Sequence, residues 1–285
     1  MPRDQERVKP VFQKVEKQLS KVASKPLPET VHRFRTSTRR IEALLGDLIP
    51  QQDRNQRKLL KELSRLRRRA GGVRDVDVQV AALRGLKAPH DADLKAEVLR
   101  SLAEMRAKRE AKLLKALDKQ TVRGLRKRLK RAARKPEILK NSRDPLAVAS
   151  QMFARLTRVS SPLREELLHQ YRIKSKRIRY VAELAGDRPE AQQLVEQLKR
   201  MQDALGEWHD LLTLRETVQK HVGDDGRSAL LAELSNITRA KFREAVAVVQ
   251  ETKSSMSAKP VVMAPAKVAG RKPVASQKQL AAAIA

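Results

Sequence analysis

His32-x-x-Arg35-x-x-x-Arg39-Arg40 sets one imidazole and, counting Arg33 between the motif positions, four guanidiniums within nine residues, with no carboxylate among them. The same design returns 137 positions on, as His169-x-x-Arg172-x-x-x-Lys176-Arg177, and is extended by Arg179. Guanidinium forks grip phosphate oxygens in pairs and keep their charge through partial burial. Lysine adds a compact charge, and a histidine beside an anion gains proton affinity and a second donor. The chemistry on offer is therefore recognition of phosphate. One phosphate needs two or three donors, so two such runs suit an extended polyanion, held more tightly as pH falls below about 7.

A further pair of motifs follows each run: Arg65 through Gly71-Gly72-Val73-Arg74-Asp75, and Arg200 through Gly206-Glu207-Trp208-His209-Asp210. The near-constant offset argues for a duplicated unit, with repeats over about 1–134 and 145–252. Arg65, Arg74, Arg200 and His209 join the candidate site as secondary members.

Helices must carry these residues. At about 100° per residue, Arg35 and Arg39 lie within about 60° of His32, and Arg40 lies about 80° to the other side. Val31, Phe34, Ile41, Leu44, Leu45 and Leu48 fall opposite, so this helix has one basic and one apolar stripe. In the second copy His169, Arg172 and Lys176 line one stripe, flanked by Arg177 and Arg179, while Leu167, Leu168, Tyr171, Ile178 and Val181 line the other. Lys174 falls towards the apolar side. Arginine at i and i+4 repels its neighbour and weakens an isolated helix, which argues for a purpose beyond solvation.

Helix formers dominate to about residue 253 and period-2 β patterns are absent, so the fold class is all-α. The punctuation predicts helices over about 4–24, 29–49 and 52–70, with Gly71-Gly72 as a stop and a fourth from about 75 to 85. Further helices are expected over about 91–118, 121–134, 145–158, 162–185, 189–205, 210–222 and 227–252, with a loop between Lys135-Pro136 and Asp144-Pro145. Asp144, Asp75 and Asp210 are expected as N-caps, and Asp187 with Pro189 as another helix start. Trp208 reads as a core or groove-edge residue. Residues 254–285, rich in Pro, Ala and Lys without an acid, read as a disordered basic tail separate from the 1–253 domain.

Sixty-three Lys and Arg against 33 acids give a formal charge of +30, which attracts nucleic acid, anionic membrane or a phosphate polymer. Only four Phe, two Tyr and one Trp are present, which disfavours the base-stacking mode of single-strand binding but not a polyanion without bases. The absence of cysteine excludes disulfides and thiol nucleophiles. No apolar run approaches the length of a membrane span and Met1–Gln18 lacks a signal-peptide core, so a cytoplasmic protein is expected. No P-loop and no paired carboxylate set is present, and an Arg three residues after each motif His repels a metal cation. His90-Asp91 and His209-Asp210 lack the rest of a metal-dependent hydrolase ligand set. No catalytic residue, metal or cofactor is assigned.

The tandem motifs resemble those of the CHAD family, the conserved-histidine α-helical domain, over most of residues 1–252. That resemblance implies two pseudo-symmetric four-helix bundles around a central basic cavity, and binding of inorganic polyphosphate, including at polyphosphate granules. It places His32, Arg35, Arg39, Arg40, His169, Arg172, Lys176, Arg177 and Arg179 on the cavity wall, with Arg65, Arg74, Arg200 and His209 as weaker members. Thr36 in place of Ile173, and Glu42 in place of Arg179, imply weaker binding by the first repeat. Nucleic-acid binding is the competing expectation, permitted by the net charge and the basic tail.

Overall fold

A computed structural model describes residues 2–134, 142–158, 162–222 and 228–257, and among these all regular structure is helical, with no strand. Nine α-helices run α1 Pro2–Ser24, α2 Pro28–Ala43, α3 Arg54–Gly85, α4 Ala92–Ala116, α5 Lys119–Ala133, α6 Pro145–Thr157, α7 Glu165–Glu183, α8 Pro189–Val222 and α9 Ala229–Ser257. A π-helical turn, Leu44–Leu48, extends α2, and a 3₁₀ turn, Pro89–Asp91, precedes α4. The expected 135–144 loop falls largely outside the described residues, as does the tail beyond Ser257, although α9 runs past the tail's expected start at 254.

Local chemistry fixes the helix starts. Asp53 and Gln56 form a reciprocal capping box at α3: the Gln56 N–H donates to Asp53 at 2.8 Å and the Asp53 N–H donates to Gln56 at 2.9 Å. Asp118 and Asp144 accept from Thr121 and Ala147 to cap α5 and α6, and Pro145 takes the first helical position as expected. Gly186 alone among the described residues has positive φ, 73°, and closes the chain after α7.

Two expectations are corrected. Residues 54–85 form one 32-residue helix and residues 189–222 one 34-residue helix. Gly71-Gly72 therefore breaks nothing, and Asp75 and Asp210 lie inside helices rather than capping them. Packing explains Gly71, where a Cβ would collide with Nη1 of Arg35; at Gly72 a Cβ would make only ordinary contact with Arg109, whose guanidinium donates to the Gly72 carbonyl at 2.7 Å. Glycine admits a guanidinium onto the helix surface at a small local loss of helix propensity, which 32 residues of cooperative hydrogen bonding absorb.

Helices α1, α2 and α3 pack in succession, with α4 and α5 against α3; α6, α7, α8 and α9 likewise pack in succession. The two groups meet where α2 crosses α7 and α3 crosses α8. Val31, Phe34, Ile41, Leu45, Leu168, Tyr171, Ile178, Val181 and Trp208 are all buried in the larger core, so the apolar stripes sit where the wheel puts them. A second, smaller core gathers Val76 and Leu83 of α3, Val98 and Leu102 of α4, Leu214 and Val218 of α8, and Leu230 and Leu234 of α9. Each long helix passes from one core to the other: Val73 belongs to the larger and Val76 to the smaller, Trp208 to the larger and Leu214 to the smaller. Asp91 ties the smaller core's ends together by accepting from the Leu230 N–H at 2.7 Å and the Ser228 hydroxyl at 2.8 Å.

Gly206, the counterpart of Gly71, is in a different position: a Cβ there meets nothing within 4 Å. Gly206→Ala should therefore stabilise the protein by about 0.5–1 kcal/mol through helix propensity alone. A rise in the urea midpoint at constant slope is the expected outcome, and a fall would show that a Cβ is not accommodated at α8 in this region.

Candidate functional site

The transition of α3 and α8 between cores is where the basic stripes of α2 and α7 arrive. Arg35, on α2, lies over Gly71 and donates from Nη1 to the Arg67 carbonyl at 3.3 Å. Its other charged neighbours are Asp75, Arg39 and Arg67. Arg39 has Arg67 and Glu42 beside it on its own side and Arg172 across the junction. Arg172 makes a long ion pair with Asp210, 3.5 Å, and its Nε is buried without a hydrogen-bond acceptor among the described residues. His32 stands at the edge with Arg74, Arg35 and Lys176 around it. His169 stacks on His209, ring centroids 5.2 Å apart. The structure thus gathers His32, Arg35, Arg39 and Arg74 from one group of helices with His169, Arg172, Lys176 and His209 from the other.

Lys176 is the hub. Burial, then Arg172, with Arg39 and Arg35 adding, pushes its ammonium down to about 7; Asp210 opposes them without prevailing. Burial and the adjacent cations likewise hold His32 and His169 below the usual imidazole value. Burial also lowers the proton affinity of Arg35 and Arg39, although arginine stays charged. These side chains form a concentration of positive charge that the nearby carboxylates, Asp75, Asp210 and Glu42, do not offset.

Other expected members are committed elsewhere. Arg40 donates to Glu183 at 2.8 Å across the α2–α7 contact. Arg177 forks onto Asp47, with Nε 3.0 Å from both carboxylate oxygens. Arg179 donates to Gln202 at 2.7 Å and to Glu183 at 2.9 Å, and lies over the Tyr180 ring. Arg40 and Arg177 tie the two helix groups together, and Arg179 ties α7 to α8 within its own group. Arg200 pairs with Glu251 of α9 through two 2.8 Å bonds, away from the cluster. Arg65 is exposed, about 160° around α3 from Arg67. Lys174 is exposed and reaches only Gln170, and Trp208 is 1% exposed in the core.

Arg67 and Gly71 carry roles that the motif pattern did not assign. Arg67 donates to Glu42 at 2.8 Å, so Glu42 positions Arg67 as well as standing beside Arg39. The second repeat reverses the polarity, with Arg179 of α7 donating to Gln202 of α8 at the matching positions. The signal for Arg67 was present in that exchange of Glu42/Arg67 for Arg179/Gln202, but only pairing α2 with α3 reveals it. Among the described residues no group of three or more His, Asp or Glu is arranged to hold a metal ion, and no helix is long and apolar enough to cross a membrane.

Lys176 generates a stability prediction. A lysine with lowered proton affinity binds fewer protons folded than unfolded between about 7 and 10.5, so its contribution is full above that range and is lost as pH falls towards 7. Lys176→Met should stabilise the ligand-free protein at neutral pH by at least about 1 kcal/mol and flatten the rise in stability above it. Urea unfolding at several pH values checks this; a destabilised variant would mean that Lys176 is held by favourable pairing instead.

No curated protein matches. The crystal structure of the CHAD domain from the plant Ricinus communis superposes with a TM-score of 0.60 at 17% identity, covering 88% of this chain and 89% of that one. At that identity the likeness concerns the fold. The family model for the CHAD domain matches residues 6–219, most of the chain, from near the start of α1 to the last turn of α8. On that match, the chain belongs to the CHAD domain family.

Proposed function

We propose that the chain binds inorganic polyphosphate, without catalysis, through the cationic junction of α2, α3, α7 and α8. The observation that carries this reading is the convergence of Arg35, Arg39, Arg172 and Lys176 from both helix groups in a partly buried setting that depresses the Lys176 ammonium. A folded protein tolerates such repulsion where an anion relieves it, and a chain of phosphates supplies many acceptors in one ligand. The buried, unaccepted Nε of Arg172 is a donor for the same purpose. The carboxylates within reach, Asp75 and Asp210, have guanidiniums beside them and serve as positioning groups for Arg35 and Arg172. The cytoplasm, and polyphosphate granules within it, are the setting that the family resemblance suggests.

The placement of the aromatic residues favours a polyanion without bases over a base-carrying strand. Phe12, Phe34, Phe153, Tyr171, Tyr180 and Trp208 are buried, and Phe242 is packed against the core. None offers an open face on which a base could stack.

Long-chain polyphosphate should bind with an affinity that falls steeply with salt. Reversing the charges at Arg35, Arg39, Arg172 and Lys176 should weaken it by more than about a hundredfold. Unchanged affinity would reduce the stripes to solvated faces, and displacement of polyphosphate by duplex DNA of matched charge at equal concentration would favour nucleic acid.

Protons provide a second test. A polyanion raises the proton affinity of Lys176, His32 and His169, each lowered in the free protein, so binding takes up protons near neutrality. Affinity should rise as pH falls from about 8 to about 6, and calorimetry in buffers of different ionisation enthalpy should register the uptake. Equal affinity and no uptake would remove these three groups from the site.

A further inference from the structure

The cluster has an open flank. On the α2 wheel, Arg35 and Arg39 lie to one side of His32, while Thr36 and Arg40 lie to the other. On that second side a cavity of about 210 Å³ is bounded by His32, Thr36 and Arg40 of α2 and by Lys14 and Gln18 of α1. It is continuous in its lining with a larger cavity of about 440 Å³ farther along α1, because Lys14, Gln18 and Arg33 border both. The larger cavity adds Lys17 and Lys21. Together they make one groove between α1 and α2 that begins at a member of the cluster.

The lining of this groove is cationic and contains no carboxylate. Arg33 and Arg40 are neutralised from outside by Glu29 and Glu183. Lys14, Lys17 and Lys21 are exposed and have no acidic partner among the described residues. They recur at intervals of three and four on α1, so their ammoniums share one face over about 10 Å of helix rise. An ordinary solvated helix face intersperses acids at that spacing; here Glu16, the nearest acid on α1, turns away to Lys130 of α5. At the floor of both cavities Gln18 is 5% exposed, and its buried Oε1 has no hydrogen-bond partner among the described residues. That oxygen is an acceptor and offers a phosphate chain nothing, so the lysine ammoniums are the donors of this groove.

We infer that a long polyphosphate chain leaves the junction past His32 and continues along the α1–α2 groove, where Lys14, Lys17 and Lys21 hold it. The inference rests on the proposed polyphosphate reading and adds a second segment to the same track. A short chain fits within the junction and never meets α1. A long one gains the lysines, and its affinity exceeds that of the short one by more than the added statistical opportunity.

The experiment compares tripolyphosphate with long-chain polyphosphate on three full-length proteins: wild type, Lys14→Gln/Lys17→Gln/Lys21→Gln, and Arg35→Gln/Arg172→Gln. The groove variant should keep its tripolyphosphate affinity and lose about tenfold or more for the long chain, with a shallower salt dependence. The junction variant should lose both. Long-chain affinity unchanged in the groove variant overturns the inference while leaving the junction as the site. Equal loss for both lengths in the groove variant also overturns it, since the lysines then act as a general field rather than a second segment. Wild type binding neither length defeats the polyphosphate reading, and this inference with it. The three lysines are exposed, so melting temperatures should match; if the triple variant unfolds, Lys17→Gln alone carries the same comparison.

Discussion

Arg35, Arg39, Arg172 and Lys176 are brought together where α2 crosses α7 beside the α3–α8 contact, and like charge in a partly dry setting repels strongly. Much of the surrounding structure can be understood as what permits this. Apolar stripes on the far sides of α2 and α7 anchor both helices in the larger core, and the continuations of α3 and α8 anchor a second core beyond the junction. Ion pairs that cross between the groups, Arg40 with Glu183 and Arg177 with Asp47, draw the faces together beside the repelling charges. Gly71 opens the α3 surface so that Arg35 can lie flat against it. The repulsion is the quantity that a polyanion relieves, which makes ligand binding and stability two readouts of one interaction.

Arginine and lysine divide the labour by their chemistry. Arginine keeps its charge under burial, so Arg35 and Arg39 supply a permanent positive potential. Lysine yields its proton, so Lys176 at about 7 is charged or neutral according to what lies beside it. A site built from both is less self-repulsive when empty than one built from arginine alone, and becomes fully charged as the anion arrives. The histidines at the rim, His32 and His169, extend this adjustment towards the solvent edge.

Helix amphipathicity was legible in the sequence because it is a local periodic signal, and the buried positions of α2 and α7 follow the wheel closely. So was the pairing of His32, Arg35 and Arg39 with His169, Arg172 and Lys176, since a duplicated motif fixes equivalent helix faces. Before Asp210 the 34-residue helix simply carries Gly206, where a Cβ would meet nothing; at Gly71-Gly72 the expected end fails because glycine has two uses, ending a helix and admitting a neighbour. Only the tertiary approach of Arg35 tells them apart. Arg40, Arg177 and Arg179 were indistinguishable from the cluster by residue type. Their carboxylate partners, Asp47 and Glu183, come from other turns of the fold or from the flank of the helix, and no spacing within the motif announces them. The same blindness hid Arg67, whose role depends on Glu42 across a helix contact.

The central claim is that the junction holds positive charge that is unrelieved until a polyanion arrives, and Lys176 reports on it directly. Its side-chain proton equilibrium can be followed by NMR of a labelled lysine methylene, in the free protein and with saturating polyphosphate. The account predicts titration at about 7 in the free protein, with a return towards the ordinary lysine value of about 10.4 in the complex. A Lys176 that titrates at its ordinary value in the free protein, or that does not move on addition of polyphosphate, would contradict it.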